Sequence, residues 1–189
     1  MRGENMNMNG NEFSRKYIAH YGLRTKQLAA MVDWYKKFLD AEIQHDMGFG
    51  AFMTFDSEHH RIVIFTTDDT EDKIPNSAGV DHIGIGLPDF ASLVENYERL
   101  KEQGILPTLP VNHGFTTSLY YADPDGNEIE LTVDNYQTKD ECKAWMQSEA
   151  MIAAMQPPTF GDVFDPEELV RLFRSGASRE DLARIGMPG

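Results

Sequence analysis

Two stretches of the chain carry the same rhythm of apolar and polar positions. From Ile18, a short alternating run gives way to apolar residues at Leu28, Met31, Val32, Tyr35, Phe38 and Leu39; from Val80, another gives way to Phe90, Leu93, Val94, Tyr97 and Leu100. Alternation is the period of a half-buried strand, and three-to-four spacing is that of a helix, so each stretch predicts a strand and then a helix. Asp89, after Pro88, can cap the free N–H groups of the second helix, and Gly104 suits its end. β-rich segments follow each helix, Phe49 to Phe55 and Arg61 to Thr67 in the first copy, Thr116 to Ala122 and Glu128 to Val133 in the second. Each copy therefore predicts β-α-β-β-β, with one strand in each lacking a clear signal.

The likeness goes beyond rhythm. IAHYGLRTKQLAAMVDWYKKFLDAEI lies on VDHIGIGLPDFASLVENYERLKEQGI without a gap at an offset of 62, with six identical pairs: His20 and His82, Gly22 and Gly84, Ala29 and Ala91, Val32 and Val94, Tyr35 and Tyr97, Ile43 and Ile105. A duplicated module accounts for this better than chance. The expected organisation is a flexible leader over 1–16, a first module over 17–66, a linker over 67–79, a second module over 80–135 and a helical C-terminal extension over 136–189. In the extension, Thr138 and Glu141 form a capping box before ECKAWMQSEAMIAAM, Pro157-Pro158 stops that helix, Asp165-Pro166 starts another that ends near Gly176, and a short helix is expected from Ser178 to Ile185. Its Met and Leu stripe reads as a face packed on the sheet or on a partner subunit rather than as a cofactor site.

Length and composition narrow the chemistry. With 189 residues, of which 41% are hydrophobic, one core is expected, and no stretch approaches the ~20 apolar residues of a membrane helix. The N-terminal stretch lacks the apolar core of a signal peptide, so a cytoplasmic location is expected. Seventeen Lys and Arg against 31 Asp and Glu give a net charge of -14, which repels phosphate backbones and argues against nucleic acid as a partner. Cys142 is the single cysteine, so a bound metal would have to be held by histidines and carboxylates.

His20 and His82 stand at the same position of two equivalent strands, where a pseudo-twofold pair converges on a shared cleft. Alternation in GVDHIGIGL puts His82, Gly84 and Gly86 on one face, with the glycines leaving room for a metal and a substrate. In EIELTV, Ile129 and Leu131 point into packing and Glu130 points to the cleft. Two imidazoles and a carboxylate leave coordination positions open on Fe(II), and Mn(II) suits the same donors. An offset of 67 sets Val63 opposite Glu130, so three protein ligands are implied rather than four. Each residue alone has an ordinary alternative as a satisfied strand histidine or a solvated glutamate. His59 and His60 read as rim or solvent residues, His45 as a loop residue, and Phe49, Phe52 and Phe115 as walls for a flat ring or as core.

The repeat, the paired histidines and HGFTTSLYYADPDGNEIEL together resemble the vicinal oxygen chelate (glyoxalase/bleomycin resistance/dioxygenase) superfamily and, within it, the type I extradiol ring-cleavage dioxygenases in their short single-domain form. His113, Leu119-Tyr120, Asp123-Pro124, Gly126 and Glu130 fill the slots of that signature. The resemblance implies an α+β fold in which two tandem βαβββ modules form one cupped mixed β-sheet domain. It also implies Fe(II) held by His20, His82 and Glu130, His113 as acid/base, Tyr120 as a hydrogen-bond partner of the substrate, and a catechol-type diol opened with O2. An assembly of identical subunits is expected. A glyoxalase-like lyase or isomerase and a non-catalytic small-molecule binder are the rival expectations.

Overall fold

Tyr35 and Phe38, on the apolar stripe of the first helix, are both fully buried, and the order of elements follows from what that stripe covers. The computed structural model of the chain describes residues 17–75 and 77–187. The leader expected over 1–16 lies outside them. The first module runs β1 (Tyr21–Arg24), α1 (Leu28–Phe38), β2 (Glu42–Asp46), β3 (Gly50–Thr54) and β4 (Ile62–Phe65). The second runs β5 (His82–Gly86), α2 (Phe90–Glu102), β6 (Leu109–Asn112), β7 (Thr116–Ala122) and β8 (Glu128–Asp134). The strands without clear sequence signal are thus β2 and β6.

The fold is α+β, with its mixed strands divided between two hydrogen-bonded sheets, ordered β1-β4-β3-β2 and β5-β8-β7-β6-β9, the last being Asp162–Val163 from the extension. In each sheet the first strand runs parallel to the last strand of its module, and the other pairs are antiparallel. The pairing carries the repeat faithfully: Tyr21 faces Ile62 as Ile83 faces Ile129, and Gly22 faces Val63 as Gly84 faces Glu130. One core spans both modules. Phe38 meets Tyr121 with ring centroids 5.0 Å apart, the Tyr35 hydroxyl donates to Asp123 at 3.1 Å, and Arg99 donates to the Phe38 carbonyl at 3.0 Å. Asp89 caps α2 by accepting from the Ser92 N–H at 2.8 Å.

The extension forms α3 (Lys139–Met146), α4 (Glu149–Ala154), β9, α5 (Pro166–Arg174) and α6 (Arg179–Leu182). The single helix expected across 141–155 is therefore two. Its break has a local cause, because the Ser148 backbone N–H and hydroxyl both donate to the Trp145 carbonyl, at 2.9 and 2.7 Å, and close the turn there. The capping boxes at Thr138 and Ser178 and the Pro166 start form as the sequence predicts. β9 pairs antiparallel with β6, Val163 facing Val111 and Asp162 facing Asn112, which the sequence gives no sign of. Asn112, only 1% exposed, donates to the carbonyls of Ala183 and Ile185 at 2.9 Å each, and its own carbonyl accepts from Gly114 N–H and Asn135. A buried amide network thus fixes the loop that follows β6.

Candidate active site

The second sheet gathers four of the five residues singled out in the sequence. His82, His113, Tyr120 and Glu130 line one cavity of about 540 Å³. Strand geometry explains the gathering. Glu130 on β8 faces Gly84 on β5 and Tyr120 on β7, so the three positions share one face of the sheet. His113 stands at the end of β6, where its backbone N–H bonds to Thr116 at 2.8 Å and closes the turn into β7.

Glu130 is a carboxylate only 8% exposed, which needs partners in place of water. Its Oε2 lies 3.5 Å from His82 Nε2 and its Oε1 lies 4.0 Å from His113 Nε2. His82 Nδ1 meets the Asp81 carboxylate at 2.8 Å; a carboxylate only accepts, so Nδ1 carries the hydrogen, and in the neutral ring Nε2 turns its lone pair toward Glu130. A lone pair and a carboxylate oxygen facing one another are mutually repulsive unless a proton or a cation lies between them. The pair therefore fits a divalent metal, and Asp81 occupies the outer position that commonly orients a ligating imidazole. Gly84 leaves the space: a Cβ there would stand 2.9 Å from Glu130 Oε2.

The same donor logic orders the acid/base side. His113 Nδ1 meets the Phe160 carbonyl at 2.7 Å, and since a carbonyl only accepts, Nδ1 is the donor. Nε2 of the neutral ring is then an acceptor for the Tyr120 hydroxyl, 3.1 Å away. Burial first, and then the neighbouring Glu130 carboxylate, push the Tyr120 phenol well above its ordinary pKa, so it remains a hydrogen donor.

His20 is placed elsewhere. Its ring packs on His60 with centroids 4.5 Å apart, and it does not line the cavity. Among the described residues no three His, Cys, Asp or Glu side chains gather closely enough to hold a metal ion. His60 also meets Phe52 edge-on at 5.0 Å and His59 at 2.5 Å between Nδ1 atoms. His45 lies on β2, paired with Phe52, rather than in the expected loop. Phe115 lines the cavity, whereas Phe49, in the turn before β3, and Phe52, on β3, do not.

Sequence reasoning missed two contributors. Asp81 was legible, since its repeat partner is Ala19 and a carboxylate beside only one of the paired histidines is an asymmetry worth reading. The wall formed by Met155, Pro158, Thr159 and Phe160 had no sequence signal, because the extension reads as a packing face.

The family model described as Glyoxalase/Bleomycin resistance protein/Dioxygenase superfamily matches residues 17–131. Two proteins of Rhodococcus globerulus are similar to this chain. Biphenyl-2,3-diol 1,2-dioxygenase 3 is 36% identical over 167 residues, covering 87% of this chain and 86% of the relative; biphenyl-2,3-diol 1,2-dioxygenase 2 is 43% identical over 130 residues, covering 68% of each. Among solved structures, a glyoxylase/bleomycin resistance protein/dioxygenase domain from Frankia aligns with a TM-score of 0.53 at 21% identity, covering 66% of this chain and 96% of that one. A fosfomycin resistance protein from Listeria monocytogenes aligns with a TM-score of 0.50 at 22% identity, covering 67% and 98%. With the repeat carried in the strand register, and with that match over residues 17–131, the chain belongs to the Glyoxalase/Bleomycin resistance protein/Dioxygenase superfamily.

Proposed function

We propose that the protein is an extradiol dioxygenase that opens a catechol-type ring with O2, holding iron(II) through His20, His82 and Glu130. The observation that carries this reading is the meeting of a metal-type donor pair, His82 and Glu130, with a proton-handling pair, His113 and Tyr120, in one cavity. The Rhodococcus relatives, named as dioxygenases of biphenyl-2,3-diol, support it. His20 is assigned as the third donor on its equivalence to His82 and its exposed position immediately before β1. No helix among the described residues is long and apolar enough to cross a membrane.

A divalent iron at these donors supplies positive charge that stabilises the phenolate form of a diol and a redox-active centre for O2. The chain's own groups do the rest. His113 accepts a proton at Nε2 from a diol hydroxyl and returns it to a product oxygen, with Nδ1–H pinned on the Phe160 carbonyl throughout. Tyr120, kept protonated, turns its single hydrogen from His113 Nε2 to a diol oxygen when the diol binds, which frees Nε2 and fixes the ring's orientation. Leu109 and Phe115 line the cavity with apolar surface that excludes water.

The test is anaerobic loading with Fe(II), followed by catechol and 3-substituted catechols in air, with oxygen uptake and the yellow ring-opened product measured together. Uptake stoichiometric with product supports the assignment. Iron bound one per chain, with no oxygen consumed across the panel, would sink it and favour a lyase, an isomerase or a binder.

A further inference from the structure

The extension does not simply lie against the sheet; it returns to the cavity and closes one side of it. Trp145 on α3 covers the turn after β6 so tightly that a Cβ at Gly114 would stand 2.1 Å from its ring. Gly161 approaches β6 to the point where a Cβ would stand 2.4 Å from the Asn112 carbonyl, and β9 then pairs with β6. Between these two fastenings, Met155, Pro158, Thr159 and Phe160 line the cavity. Phe160 holds φ at 52°, a left-handed conformation costly for a bulky residue, and its carbonyl accepts from His113.

The cavity has two characters. His82, Glu130, His113 and Tyr120 on the second sheet make a polar floor, while Met155, Pro158 and Phe160 face it from the extension. Phe160 is 47% exposed, a large apolar group standing at the rim. About 540 Å³ falls within the ~300–1,000 Å³ of pockets that bury drug-sized ligands, and a single six-membered ring leaves much of it unfilled.

Resting on the reading of this cavity as a diol site, we infer that the 155–160 segment is the specificity-determining wall. The floor takes the two oxygens, and Met155 and Phe160 select for an apolar aryl group on the adjacent ring carbon. Phe160 has a second, positioning part, since its main-chain carbonyl decides which nitrogen of His113 faces the cavity.

The experiment uses full-length, iron(II)-loaded protein without oxygen and measures by calorimetry the dissociation constants of catechol and 2,3-dihydroxybiphenyl. Met155→Trp narrows the aryl space, and the preference for the aryl diol over catechol is expected to fall roughly tenfold or more. Met155→Ala and Phe160→Ala remove apolar wall, and each is expected to lower the preference by roughly threefold to tenfold. Circular dichroism identifies correctly folded variants, and the two Met155 variants decide the matter if Phe160→Ala does not fold. A preference within twofold of wild type in both folded Met155 variants overturns the inference. Wild-type protein that prefers the aryl diol but consumes no oxygen leaves the wall in place and removes the dioxygenase reading. Oxygen uptake with an unmoved preference does the reverse, and wild-type protein that binds neither diol removes both.

Discussion

The two modules share one frame and differ in what the frame carries. In the first, the face opposite Gly22 holds Val63, with Phe52 beside it and His45 across from Phe52; in the second, the face opposite Gly84 holds Glu130, with Tyr120 beside it and Leu109 across from Tyr120. Three matched positions thus differ, and the exchange of Val63 and Phe52 for a carboxylate and a hydroxyl-bearing ring gives the second face its reactive groups. The histidine is common to both, but His82 has Asp81 at 2.8 Å, while His20 follows Ala19 and packs its ring at a tilt against His60. The outer strands diverge as well. β6 is covered by β9, whereas β2 is an edge strand exposed along its length. Duplication supplied the scaffold twice, and the chemistry was concentrated in one copy by a few side chains and a segment from outside both.

Exchanging features between the modules tests this contrast. The largest effect is expected at the carboxylate: Glu130→Ala should leave far less than one iron per chain after desalting and cut oxygen uptake with a diol by more than about 100-fold, whereas Val63→Ala should leave both intact. Equal iron retention in the two variants would erase the distinction between the sheets. Next comes His113→Phe, which should keep iron bound yet slow turnover by roughly 10²-fold, read as a fall in kcat at unchanged metal content; normal turnover would remove His113 from proton transfer. Asp81→Ala makes the second module resemble the first, and chelator competition should show iron affinity falling about tenfold if Asp81 orients His82. The smallest effect compares two glycines. A Cβ at Gly22 meets nothing closer than 3.9 Å, so Gly22→Ala should change neither unfolding temperature nor iron affinity appreciably. At Gly84 it meets Glu130 Oε2 at 2.9 Å, and because the end of that side chain is what must move, a drop of a few-fold in affinity is expected with little loss of stability. Indistinguishable glycine variants would show that the carboxylate is not held where its register puts it.

Much of this was legible because duplication is written into the sequence twice. The offsets of 62 and 67 that align the modules reappear as strand pairs, so the position of Val63 opposite Glu130 follows from counting. β7 was readable because its buried run is long, while β2 has one aliphatic residue, Ile43, among EIQHD, and β6 is four residues with Pro110 inside. Four members of the candidate site followed from alternation and the signature. The contact of His20 with His60 did not, since it depends on where the β3–β4 loop brings His60 relative to the residues before β1. Nor did the Phe160 carbonyl, because a backbone atom placed by tertiary pairing leaves no trace in residue types.

Asn112 gives the molecule a timetable. Its side-chain amide bonds to carbonyls 71 and 73 residues further along, and the histidine beside it waits on a carbonyl 47 residues away. As the chain leaves the ribosome, His113 emerges before Phe160, whose carbonyl holds its ring, and before Ala183 and Ile185, which fix the loop it stands on. Catalytic competence would therefore come late in biosynthesis, after both modules have paired their strands.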